Sequence, residues 1–260
     1  MNDRDNSPVS AVGIAGVAVV AYVFCDALHE LAHAAATLLP LGVKALSIST
    51  IGLTTSQRSP AVASAGPILN LVLAAALVLS WASAIPPIWR YFGWLFGTIN
   101  LFNAAAYLVY SAVLGSGDLA VVFNATTWHW RSWIGTSGIV AYSAAVLLSR
   151  SGLRRLIGTG VLDTATASRC CSISYWWGAA VVTAGAVFNP VSYLLILTSG
   201  AAVGFGAMVG LLFLPPSPPG TAEGETPVVS LRINWAWVVA GAIAAALFIG
   251  VLGPGIRLAK

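Results

Sequence analysis

The stretch Cys25-Asp26-Ala27-Leu28-His29-Glu30-Leu31-Ala32-His33 holds the residues whose types and spacing could do chemistry. On an α-helix, positions four apart share a face, so His29 and His33 can aim both imidazoles at one point. Glu30 follows His29 directly and can reach a water held at that point without ligating. This is the H-E-x-x-H arrangement, in which two histidines hold zinc and the glutamate serves as general base. Five letters of this kind also arise by chance in soluble chains, but the setting here weakens that explanation. The apolar run from about Val9 to Leu39 carries no charged or imidazole side chain besides Asp26, His29, Glu30 and His33. Each such group costs roughly 2.5–3.5 kcal/mol in the middle of a membrane helix, so it needs a compensating partner. A bound metal is one answer, and a proton or cation relay in a transporter is the other. Cys25, four residues before His29, either faces the metal or packs as a small core residue.

The elements that must position these groups follow from composition. The chain of 260 residues is 58% hydrophobic and 8% charged, with a mean hydropathy of +0.87. An ordinary soluble domain is about one-quarter charged. Repeated apolar segments near the roughly 20 residues that cross a bilayer give an all-α, polytopic helical membrane protein with about six or seven transmembrane helices. The net charge of +4 is small and spread over loops, which argues for no nucleic-acid partner and leaves the lipid bilayer as the environment. The three cysteines, Cys25 and the adjacent Cys170 and Cys171, supply no disulfide framework. The polar start, Met1 to Pro8, lacks a basic region and a small-residue cleavage site, so the first span reads as retained.

Along the chain, the first span ends at Pro40-Leu41-Gly42, a helix stop that places the histidines near its exit end. From Val43 to Ser59, apolar and hydroxyl residues alternate, which predicts a short strand or hairpin after the first helix. Such a strand either pairs with an unwound peptide by edge addition or is a surface hairpin with no such role. The second span, about Pro60 to Ala84, contains Gly66 and Pro67, which permit a kink or a close helix approach, and the polar Asn70. The third, about Ile88 to Leu114, carries Asn100 and Asn103 on one face and leads into Gly115-Ser116-Gly117-Asp118. A fourth covers about Ser132 to Leu148, preceded by Trp128-His129-Trp130, an aromatic set suited to the headgroup region. A basic loop is expected from Arg150 to Arg169. The apolar stretch from Tyr175 to Leu214 is too long for one span and should break at Asn189-Pro190. A Pro-rich linker at 215–226 precedes a last span, about Trp235 to Leu252.

Three of these features, in this order, resemble the site-2 protease-like intramembrane zinc metalloproteases. They are His29-Glu30-Leu31-Ala32-His33 near the end of a membrane helix, the Gly66-Pro67-Ile68-Leu69-Asn70 segment, and an Asn-containing helix followed by Asp118. The sequence departs from that family at Ala32, where Gly is common. Around Asp118 the prolines are missing, and the glycine precedes the aspartate instead of following it. The resemblance spans roughly residues 1–118, which it marks as the protease core; residues 119–260 add further transmembrane helices.

The resemblance implies a Zn2+ cofactor held by His29, His33 and Asp118, with Glu30 as the catalytic base. Asn70, Asn100 and Asn103 would bind the substrate backbone or the developing oxyanion, although interhelical packing explains amides equally well. His129 is the rival third ligand. The implied activity is that of an integral-membrane zinc endopeptidase, and the implied partner is a membrane protein cut in or near a transmembrane segment. Two other functions remain open: a transporter or channel with an in-membrane proton or metal site, and an inactive relative that acts as a binding partner.

Overall fold

The computed structural model describes residues 9–123, 127–189, 196–215 and 229–258. Helix α1 (Ala11–Ala36) is the central element, capped by Ser10, whose Oγ accepts from the Gly13 amide at 3.4 Å. Its residues from Gly13 to Val23 are buried almost without interruption. An all-round apolar sequence is what a helix needs to be enclosed by neighbours on every side. It packs against α2 (Pro60–Leu73), α3 (Pro87–Leu114), α6 (Thr164–Val187) and α7 (Trp235–Leu247). Small residues allow the closest crossings: a Cβ on Gly241 of α7 would fall 2.8 Å from the Gly16 backbone, and Gly178 of α6 lies against the Tyr22 ring.

After α1, strands β1 (Ala45–Ser49) and β2 (Gly52–Thr55) form an antiparallel hairpin. A third strand, β3 (Ile256–Arg257), pairs with the other side of β1 and gives the order β2-β1-β3. The sequence pattern did not disclose β3, because two residues carry no period. Helix α2 continues as a 3₁₀ stretch, Ala74–Trp81, laid tightly on α3: a Cβ on Gly97 would come within 2.4 Å of the Leu77 backbone nitrogen. A short helix α4 (Asp118–Val122) follows α3, and then comes the long α5 (Trp128–Gly158).

Among the described residues, six helices are long and apolar enough to cross a membrane: Ala11–Ala36, Pro60–Trp81, Pro87–Leu114, Trp128–Gly158, Thr164–Val187 and Trp235–Leu252. One expectation needs correction. The basic stretch from Arg150 is not a loop, since α5 runs to Gly158 and α6 starts at Thr164. Leu153 and Leu156 are fully buried and hold the helix past the expected stop, with cations at its C-terminal end where the helix dipole favours them. The turn is made at Gly160 (φ 68°), and Asp163 caps α6 by accepting from the Thr166 amide at 2.5 Å. The long apolar stretch does divide, with α6 ending at Val187, and the described part of its second half is a π-helical segment, Ile196–Ala207, followed by a 3₁₀ turn, Val209–Phe213. Among the described residues that half supplies only the shorter apolar helix Gly200–Phe213. The Met1 to Pro8 start, Pro190 and residues 216–226 of the expected linker lie outside the described residues.

Candidate metal centre

The site forms where α1, α2 and the start of α4 meet. His29 and His33 project from one face of α1, and both are buried, 1% and 4% exposed. They are four residues apart, and their Nε2 atoms lie 3.1 Å from each other. The chain reverses after α3 through Gly115 (φ 63°) and Gly117 (φ 89°), a left-handed pair that other residues adopt only under strain. Arg131 of α5 fastens this corner by donating from Nε to the Ala112 carbonyl at 2.6 Å and from Nη2 to the Val113 carbonyl. Asp118 is thereby turned back toward the histidines. Its Oδ2 lies 3.1 Å from His29 Nε2 and 3.3 Å from His33 Nε2. Burial would raise the Asp118 carboxyl, but the two imidazoles beside it outweigh that and hold it at about 2. The ionised form this favours is the form in which a carboxylate can bind a cation.

These three atoms fit a metal ion. Donors placed tetrahedrally around a cation at roughly 2.0–2.1 Å lie about 3.3 Å from one another. The observed separations, 3.1, 3.1 and 3.3 Å, match that spacing. The wall behind the pair is shaped for it: a Cβ on Gly66 of α2 would come within 2.5 Å of His33 Nε2 and 2.6 Å of His29 Nε2. Glycine alone lets α2 approach the imidazoles here. The outer ring nitrogens are also held. His33 Nδ1–H donates to the Val62 carbonyl at 2.7 Å, and His29 Nδ1 lies 3.1 Å from the Asn70 side-chain nitrogen.

Glu30 joins His29 and His33 in the cluster of groups that could hold a metal ion. Its carboxylate lies within 4.8 Å of both imidazoles, yet no hydrogen bond or ion pair joins it to either among the described residues. Its Oε2 is buried with no hydrogen-bond partner among the described residues, a costly state for a carboxylate. Asp26 Oδ2 is in the same condition one turn earlier. Both acids open on a cleft of about 630 Å³ shared with His33, Asp118, Tyr107 and the edge strand β2.

The other sequence candidates are placed differently. Asn70 is fully buried against His29 and does not face the cleft. Asn100 donates to the Phe96 carbonyl within its own helix at 2.8 Å, and Asn103 donates to Cys25 Sγ at 3.7 Å. Neither Asn100 nor Asn103 is among the residues lining this cleft, because both point from α3 into the helix packing. Cys25 is accordingly a buried partner of Asn103, and it does not join the cluster of His29, Glu30 and His33. His129 is exposed on the first turn of α5, where its ring accepts from Trp133 Nε1 at 3.3 Å. The sequence reading missed Tyr107, whose ring stacks on His29 with centroids 4.9 Å apart and planes at 17°. A signal was present, since Asn100, Asn103, Tyr107 and Tyr110 recur at helical spacing on one face. The chain matches no known family model, no curated protein and no solved structure.

Proposed function

We propose that this chain is a membrane-embedded zinc endopeptidase of the site-2 protease-like kind, which hydrolyses a peptide bond in or near a transmembrane segment of another protein. The observation that carries this reading is the convergence of His29, His33 and Asp118 on one point, with a buried, unpartnered Glu30 beside it. Two nitrogens and one carboxylate from protein, with the fourth position left open, are the ligand set of a catalytic zinc site. The outward faces of the spans support a bilayer setting: Leu71, Val72, Val140 and Leu147 are large, apolar and exposed.

When bound, zinc supplies Lewis acidity, polarising the scissile carbonyl and acidifying water. The chain's own residues do the rest. His29, His33 and Asp118 hold the cation, and Gly66 admits the two rings at this spacing. Glu30 takes a proton from water as the water oxygen bonds to the carbonyl carbon, then returns it to the nitrogen as the C–N bond breaks. Strand β2 is an edge strand that lines the cleft, so an unwound substrate can pair with its free backbone groups.

The test is zinc content and cleavage, measured on full-length protein in proteoliposomes with a tagged single-span substrate. One zinc per chain, lost in His29→Ala, together with cleavage lost in Glu30→Gln, is the expected result. Absence of any divalent metal after purification, with proton or metal flux that depends on Asp26 and Glu30, would instead establish the transporter reading.

A further inference from the structure

Where the 3₁₀ stretch and α5 end, beside the start of α3, a cavity of about 470 Å³ is lined by Trp81, Ser151, Arg154, Arg155 and Gly158. Four of these residues form one stripe of α5, since positions 151, 154, 155 and 158 share a helix face, and Leu147 continues that face one turn earlier. Trp81 supplies the other wall. Arg90 braces the two walls from behind: it is 5% exposed, and its Nη2 donates to the Ser80 carbonyl at 2.9 Å and to Thr159 Oγ1 at 2.8 Å. Ser80 precedes Trp81 and Thr159 follows Gly158, so a buried side chain holds the two sides of the cavity together.

Arg154 and Arg155 are exposed, and neither guanidinium makes a hydrogen bond or ion pair among the described residues. The end of α5 does not occupy them, because the Arg155, Leu156 and Ile157 carbonyls already accept from the Thr159, Val161 and Gly160 amides. The acids among the described residues are engaged elsewhere, Asp26, Glu30 and Asp118 at the metal cleft and Asp163 on the Thr166 amide. Trp81 and Trp89 are exposed at this end of the bundle, as residues at the headgroup level of a bilayer are, and Val78 and Leu147 are exposed below them. We propose that this cavity binds an anionic phospholipid. Arg154, Arg155 and Ser151 donate to its phosphate oxygens, Trp81 packs on the glycerol backbone, and an acyl chain runs along Leu147. A free anion would use the arginines and the hydroxyl alone; the apolar stripe that continues from them fits a chain attached to the phosphate. The cavity shares no lining residue with the metal cleft, so the inference is independent of the function proposed for that cleft.

The test titrates full-length protein in detergent with dioleoylphosphatidylglycerol, dioleoylphosphatidylcholine or inorganic phosphate, and counts bound molecules by native mass spectrometry. One phosphatidylglycerol should bind per chain, more tightly than phosphatidylcholine. Replacing both arginines, Arg154→Gln with Arg155→Gln, should weaken it about 30-fold, since each basic side chain at an anionic lipid surface is worth roughly fivefold. Arg58→Gln with Arg257→Gln removes the same charge from residues outside the cavity and should leave the affinity near that of wild type. Ser151→Trp keeps both arginines but fills the cavity, and should displace the lipid. Equal affinity for the two lipids, or an equal loss in the two double variants, overturns the proposal, because the attraction is then diffuse. A Ser151→Trp protein that binds phosphatidylglycerol as wild type does overturns it as well. Inorganic phosphate bound as tightly as the lipid, and in its place, would make this a free-anion site and overturn the lipid assignment.

Discussion

Gly66→Ala puts the sharpest demand on the site, because it adds one methyl group and touches no ligand atom chemically. An added Cβ would lie 2.5 Å from His33 Nε2 and 2.6 Å from both Cε1 and Nε2 of His29. Ordinary carbon contacts begin near 3.5 Å, so the two rings and the α2 backbone must separate by roughly 0.9 Å. Two energies oppose each other in the fold. Alanine favours the helix by about 1 kcal/mol over glycine, and overpacking a buried contact costs about 1–3 kcal/mol. The net change is small against the stability of a chain of this size, so the variant folds.

The site does not tolerate the same displacement. The three ligating atoms are within 3.1–3.3 Å of one another, and moving two of them apart from the third breaks the set. A misplacement near 1 Å is worth roughly 100-fold in a positioned reaction. Gly66→Ala should therefore lose about 100-fold or more in zinc affinity, read by chelator competition, with only a few degrees' change in thermal unfolding. Gly158→Ala is the control, since a Cβ there meets nothing within 4 Å. If Gly66→Ala binds zinc as wild type does, the rings are not pressed on α2, and the approach of that helix does not set the spacing of the ligands.

Glu30→Gln should abolish peptide hydrolysis, a loss of at least about 100-fold, while zinc content stays at one per chain; release of the metal would make Glu30 a ligand. Asp118→Ala should strip the zinc or weaken it severely, whereas His129→Ala should leave affinity unchanged, because His129 is bound up with Trp133 on the exposed start of α5. Gly117→Ala should resemble a weaker Asp118→Ala in chelator competition. Its φ of 89° disfavours any side chain, and a Cβ would press within 2.9 Å of Tyr110 in the turn that aims the carboxylate. Tyr107→Phe should keep both zinc and fold, since ring stacking on His29 survives the loss of the hydroxyl; a loss of zinc would mean that the hydroxyl, not the stacked ring, supports the site.

What was legible in the sequence was what one helix decides for itself. The i, i+4 spacing of His29 and His33 fixes their common face wherever α1 lies, and Gly115 and Gly117 announce a turn whatever that turn carries. The apolar lengths of the spans follow from composition in the same way. The amides were illegible for the opposite reason. Asn70, Asn100 and Asn103 look alike as polar residues in apolar helices, and only the crossing of α2 over α1 gives Asn70 to His29. The rotation of α3 sends Asn103 to Cys25, and Asn100 folds back on its own helix. One link between the two levels was present. Gly66 and Asn70 are four apart, as His29 and His33 are, so a helix that needs its glycine against the rings must bring its asparagine to the same pair. Gly66-Pro67-Ile68-Leu69-Asn70 thus encodes one surface, whose glycine sets the distance of approach and whose asparagine holds the ring that arrives.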